Sequence, residues 1–223
     1  MKSKMIDLNA FQSLLKDGMR IMVGGFAGCG VPEILIQGIL DSGVKDLTII
    51  SNDSTHPGEG VSLLIANNQV KKLIASHIGM NPQTGEKMNA GELEVQLVPQ
   101  GTLAEAIRAA GAGLGGVLTR TGLGTEIAEG KDTIVIDGGT YLIEKPIRAD
   151  LAVLRGSVVD EFGNTVYKGT TRNFNPLMAT AADIVVMAAE NIVPVGALEK
   201  ETVVTPGIFV DYIVGGEPVE RKK

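Results

Sequence analysis

The sequence predicts an α/β fold in one domain, built on a mainly parallel sheet flanked by helices. Short β-rich runs alternate with stretches of helical spacing. Glycine, at 29 of 223 residues, collects mostly between the apolar runs. No internal repeat, low-complexity segment or linker breaks the rhythm. This length suits a single domain with a proper core. The domain is expected over residues 1–216, with the polar EPVERKK (217–223) as a C-terminal tail.

In order along the chain, residues 7–17 carry Leu8, Phe11, Leu14 and Leu15 at helical spacing. Residues 19–23 read as a buried strand, and a glycine loop follows at 24–30. Pro32 suits the first turn of the next helix, where a missing N–H costs nothing, and Gly43 suits its C-terminal cap. A strand at 47–50, a helix at 59–67 and strands at 71–75 and 93–98 come next. A helix is expected over 102–110, just after the turn Pro99-Gln100-Gly101. The stretch 112–150 has weak helical signals and suggests β hairpins, with segments near 115–118, 133–136 and 140–143. A strand at 151–154, a helix at 176–182, a strand at 184–188 and a β segment near 209–214 complete the series.

Composition excludes several classes. Net charge is −6 and the basic residues are scattered, against the basic patch of a duplex-binding domain. Aromatics are 4% and tryptophan is absent, so a base-stacking surface is disfavoured. No run approaches the length of a membrane span, and charges interrupt the apolar positions of the N-terminus. One cysteine, Cys29, forbids an intrachain disulfide. These features together point to a cytoplasmic protein. His56 and His77 lie far apart with no Cys or paired carboxylate at ligand spacing, so no metal site is expected.

The most informative segment is DGMRIMVGGFAGCGVPE, residues 17–33. A strand runs into Gly24, Gly25, Phe26, Ala27, Gly28, Cys29 and Gly30, and a helix follows. Glycines let backbone N–H groups approach a ligand, and a helix N-terminus adds partial positive charge. The loop lacks the Lys-Ser/Thr ending of a phosphate-binding loop and the spacing of a dinucleotide fingerprint. A tight turn that binds nothing also accounts for such glycines. Cys29 has no evident base nearby and reads as a small packing residue.

This segment resembles the first signature of family I coenzyme A transferases. Asp17-Gly18, Ile21-Met22-Val23, Gly24-Gly25-Phe26, Gly30 and Pro32 meet every fixed position of that pattern. Residues 71–85, 98–116, 172–186 and 203–214 resemble further segments of the family's alpha subunits. Arg120 departs from the proline usual there. The resemblance implies a CoA-transferase-like fold and a ping-pong transfer among acyl-CoA and short-chain acids of the acetate, acetoacetate and butyrate class. It also implies a partner beta subunit, in an α2β2 or α4β4 assembly, that carries the nucleophilic glutamate in a Ser-Glu-Asn-Gly type motif. This chain has only Ala189-Glu190-Asn191-Ile192, and Glu190 reads as a strand-end or solvated residue. Coenzyme A enters as a substrate, with no permanently bound cofactor.

Gln100 is the first catalytic candidate, a neutral amide at a strand's C-terminal end that can donate to an oxyanion. The resemblance supports it, since the family glutamine of this motif faces the reacting centre. Gly101 and Asn52 are substrate candidates, although Asn52 also reads as a turn residue bonded to its own backbone. The glycine loop 24–30 is the candidate for contacts to CoA or the acyl group. Two other functional classes stay open. One is a hydrolase or isomerase acting alone, with Glu33 or Glu190 as its carboxylate. The other is a non-catalytic acyl-CoA-binding module.

Overall fold

The computed structural model describes residues 3–215. Its elements in chain order are α1 (Leu8–Gln12), β1 (Arg20–Val23), α2 (Glu33–Ser42), β2 (Leu47–Ile50), α3 (Val61–Ala66), β3 (Val70–Ala75), α4 (Pro82–Asn89), β4 (Glu94–Leu97) and α5 (Gln100–Gly111). There follow β5 (Val117–Thr119), β6 (Thr133–Ile136), β7 (Gly139–Glu144), β8 (Ala149–Asp160), β9 (Thr165–Val166), α6 (Asn175–Met178), β10 (Ala182–Val193) and β11 (Tyr212–Gly215). The expected tail at 217–223 lies outside the described residues.

Strands β11-β10-β8-β1-β2-β3-β4 pair in that order, all parallel. The short β9 pairs antiparallel with the far end of β8. The central strands are apolar on both faces, as a sheet covered on both sides requires. Ile21, Val23, Ile49, Leu73, Leu151 and Val153 face a core closed by Phe11, Leu35, Ile36, Ile39 and Leu64. Met22, Ile50, Ile74, Ala152 and Leu154 face a second core with Leu103, Ile107, Phe174 and Met178. The predicted hairpins form a separate antiparallel sheet, β5-β7-β6. Strand order reverses at β1: β2, β3 and β4 lie outward on one side, β8, β10 and β11 on the other. Ligands of open parallel sheets collect outside the strand C-termini at such a reversal.

Pro32 caps α2, and Gly43 ends it in the left-handed conformation. Several elements differ from expectation. Helix α5 starts at Gln100 rather than 102, because Pro99 already serves as its N-cap. Helix α4 went unseen because only Thr84 on it is buried, leaving no apolar period. The helix expected over 176–182 is one turn, Asn175–Met178, before β10 begins. The strands expected at 151–154 and 184–188 each run for 12 residues, because their mixed polar and apolar ends stay paired with each other in parallel register. Glu190 therefore lies within β10 and not at a strand end, paired with Arg155 at 2.7 Å.

Beyond β9, Tyr167 is buried and shares a 2.6 Å hydrogen bond with Thr205 Oγ1. Burial pushes its phenol up to about 12 from the ordinary 10.0. The unfolded phenol thus loses its proton first. Stability from burying the neutral ring is complete below about 10 and is lost as pH rises through about 12.

The chain after β1 is clamped by Asn175, whose side chain is fully buried. Its Oδ1 accepts from the Arg155 N–H at 2.9 Å, and its Nδ2 donates to Gly30 O at 3.0 Å and Thr171 O at 2.8 Å. The Gly24 N–H donates to Val153 O at 3.0 Å, which holds Gly24 against the clamp. A Cβ at Gly24 would overlap Asn175 Oδ1, so close approach alone requires glycine there.

Two outcomes are expected. Gly24→Ala destabilises by about 1–3 kcal/mol, the usual cost of overpacking, and the penalty shrinks in an Asn175→Ala background; denaturant unfolding of the four variants measures it. Across the alkaline range, the unfolding midpoint falls less steeply for Tyr167→Phe than for the parent chain.

Candidate active site

The loops after β1, β2, β3 and β4 emerge at one edge of the sheet because these strands are parallel. After β1 the chain makes a four-residue turn. Phe26 and Cys29 exchange backbone hydrogen bonds of 3.0 and 2.9 Å, and Ala27 and Gly28 between them have φ of +47° and +79°. Two positive φ values make the tight turn of a two-residue hairpin. Gly28 adopts this freely, whereas Ala27 does so at a cost of about 1–3 kcal/mol. The Ala27 N–H donates to Asp53 Oδ2 at 2.8 Å, which offsets that cost.

Asp53 follows β2 and is only 2% exposed. Its Oδ1 accepts from the Thr55 N–H at 2.8 Å, and its Oδ2 also accepts from Asn52 Nδ2 at 2.7 Å. Asn52 Oδ1 in turn accepts from Gln100 Nε2 at 2.9 Å and from the Ser76 hydroxyl at 3.2 Å. Ser76 also fixes the Asn52 backbone, donating from N to Asn52 O at 2.9 Å. Loops after three strands and the start of α5 therefore meet in one hydrogen-bonded chain from Ala27 through Asp53 and Asn52 to Gln100. A hollow of ≈ 10 Å³ lies between Gly24, Gly25, Asn52 and Asp53, about the space of one water.

Gln100 is exposed at the outer end of this chain, as the first residue of α5. No side-chain hydrogen bond caps α5, so the start of the helix beside Gln100 keeps first-turn N–H groups without a capping side chain. Gly101 beside it is exposed, and a Cβ there would meet nothing within 4 Å, so a ligand can come close to this backbone. Asn52 is buried and meets Gln100 and Asp53 rather than its own backbone. In the glycine loop, Gly24, Phe26, Ala27 and Cys29 spend their N–H groups within the protein. What the loop presents outward is the Phe26 ring, 44% exposed. Cys29 is half-buried, its Sγ 2.8 Å from Thr170 Oγ1, so it has a polar partner where apolar packing was expected.

The carboxylates considered for independent chemistry are both engaged. Glu33 Oε2 accepts from the Gly60 N–H at 3.2 Å, and Glu190 holds Arg155. Arg155 Nη1 donates to Val31 O at 3.3 Å, just past the glycine loop. Arg120 is exposed in the turn after β5. A larger cleft of ≈ 530 Å³ separates β4 and α5 from the small sheet; it takes in Thr102 but neither Gln100 nor Asn52. Sequence reasoning missed Asp53, Ser76, Arg155 and Asn175. Only Asp53 had a signal, as an acidic side chain directly after a strand beside a residue already singled out.

Three similarities bear on this arrangement. The chain is 58% identical over 214 residues to the acetoacetyl-CoA:acetate/butyrate CoA transferase alpha subunit of Clostridium acetobutylicum, covering 96% of this chain and 98% of that one. It is 51% identical over 214 residues to the acetate CoA-transferase subunit alpha of Escherichia coli K12, covering 96% and 97%. Its fold matches a crystal structure of an acyl-CoA transferase from E. coli O157:H7 in a thioester complex with CoA, with a TM-score of 0.84 and 22% sequence identity. That match covers 96% of this chain but 47% of the other, so the chain spans about half the length of that transferase. Residues 6–216 match the family model described as Coenzyme A transferase, and the chain belongs to the coenzyme A transferase family.

Proposed function

We propose that this chain is the alpha subunit of a short-chain acyl-CoA:carboxylate CoA-transferase of the acetate, acetoacetate and butyrate class. It works with a beta subunit of similar size, in an α2β2 or α4β4 complex. The names of its nearly full-length relatives support the substrate class and the division into subunits. One observation carries the mechanism: an exposed amide, Gln100, is braced from behind by buried Asn52 beside the uncapped start of α5. This is a donor array with no free carboxylate of its own among the candidates, since Glu33 and Glu190 are both engaged.

The chemistry then divides between two polypeptides. A glutamate carboxylate on the beta subunit attacks the thioester carbonyl, and the carbonyl electrons move onto oxygen. Gln100 Nε2–H and the first-turn N–H groups of α5 stabilise this oxyanion. Collapse expels the CoA thiolate and leaves an acyl–glutamyl anhydride. The thiolate then attacks the glutamyl carbonyl, a second oxyanion forms, and the acyl group leaves as a carboxylate. The glutamyl-CoA thioester that remains is attacked by the incoming carboxylate, and the steps run backwards. Preorganised donors lower each oxyanion barrier without supplying a nucleophile. Phe26 and Gly101 offer an approach surface for CoA or the acyl chain, with Phe26 supplying apolar contact. CoA is a substrate here and not a resident group.

Replacing Gln100 by Ala is expected to lower kcat of the complex by about 10²–10³-fold, the usual loss of one oxyanion donor, with unfolding unchanged. The chain expressed alone is expected to show no transferase turnover, and co-expression with its partner restores it. Normal turnover by the purified chain alone rejects the division of labour.

A further inference from the structure

We infer that Asp53 is a positioning residue: through Asn52 it sets which way the Gln100 amide faces, and through Ala27 it ties the glycine loop to the same point. The inference rests on the reading of Gln100 as a donor to the reacting centre.

Atoms that can only accept hydrogen bonds set the orientation. Each carboxylate oxygen of buried Asp53 receives a backbone N–H, Thr55 on Oδ1 and Ala27 on Oδ2. Asn52 must then turn its NH₂ to Oδ2, 2.7 Å away, and its carbonyl oxygen outward. That oxygen cannot donate, so Gln100 meets it nitrogen-first at 2.9 Å. One hydrogen of the Gln100 NH₂ is used there, and the other is left to donate outward. With Gln100 turned over, its oxygen would face Asn52 Oδ1, two acceptors in contact, and its NH₂ would move to the place the amide oxygen now holds, so the N–H offered to a substrate oxygen would be displaced. A side-chain amide turns over at little cost on an open surface. Here a buried carboxylate two side chains away decides the orientation. The same Oδ2 holds Ala27 at positive φ, so the hairpin bearing Phe26 and the amide of Gln100 share one anchor.

Asp53→Asn is the informative change, because it keeps shape and removes the acceptor-only property. Its NH₂ must replace either Oδ1, where it opposes the Thr55 N–H, or Oδ2, where it opposes the Ala27 N–H and favours turning Asn52 over, and Gln100 after it; both placements loosen the anchor of the Asn52 amide. In the complex, Asp53→Asn is expected to lower kcat by about tenfold or more with a smaller change in KM. In a Gln100→Ala background the same substitution is expected to change kcat by less than about twofold, since residues acting through one another are non-additive. In the full chain labelled with ¹⁵N, the side-chain NH₂ resonances of Gln100, assigned by their loss in Gln100→Ala, are expected to move in Asp53→Asn. Equal loss of kcat in both backgrounds would mean that Asp53 is only structural and overturns the proposal. Unmoved Gln100 resonances overturn it as well, whatever the kinetics. If Gln100→Ala leaves kcat intact, the donor reading fails and the catalytic purpose of the relay fails with it. A resonance shift would still show that the relay exists, which separates the two failures.

Discussion

The site depends on satisfying one carboxylate. Asp53 lies at the end of β2 with almost no access to solvent, and a buried carboxylate left without donors would be strongly destabilising. Its donors come from three places: its own turn at Thr55, its neighbour Asn52, and Ala27 at the tip of the hairpin after β1. Hydrogen bonds to a charged group are worth about 1.5–3 kcal/mol each. That is enough to hold Ala27 in a conformation it otherwise disfavours. The loop that looks like a flexible glycine cradle is therefore a fixed hairpin, anchored by Asp53 on one side and by Asn175 on the other.

The parallel sheet makes this meeting possible. Strands running in one direction deliver their following loops to one edge, and the reversal of order at β1 opens space there. On the β8 side, Arg155 and Glu190 pair beyond the central strands, and Arg155 also holds Val31. The result is a rim with an amide, open helix N–H groups and one exposed aromatic ring. An amide and helix N–H groups suit negative charge, and an exposed ring suits an apolar group, which is the chemistry the proposed function draws on.

Much of the fold was legible because apolar burial leaves a period in the sequence. The strand at 47–50, the start of α2 after Pro32 and its end at Gly43 were all readable. Helix α4 was not, since it buries only Thr84 and is otherwise about two solvated turns. The long ends of β8 and β10 were hidden for a related reason: polar residues such as Arg155 and Glu190, which pair across the strands, interrupt the apolar pattern there. At the site, Gln100 and Asn52 were visible as amides at strand ends. The link between them, and its continuation through Asp53 to Ala27, depends on contacts between residues 26 and 48 positions apart. Gly24 shows the same limit. Its glycine signature was plain, but the cause is Asn175, and only the folded chain brings the two together.

The central claim is that this polypeptide stabilises charge which a carboxylate of a second polypeptide creates. The most direct test incubates the assembled complex with acyl-CoA in the absence of an acceptor acid, traps the covalent CoA adduct, and maps it by peptide mass spectrometry. The account requires the adduct on a glutamate of the partner subunit. An adduct on Glu33, Glu190 or any other residue of this chain would contradict it.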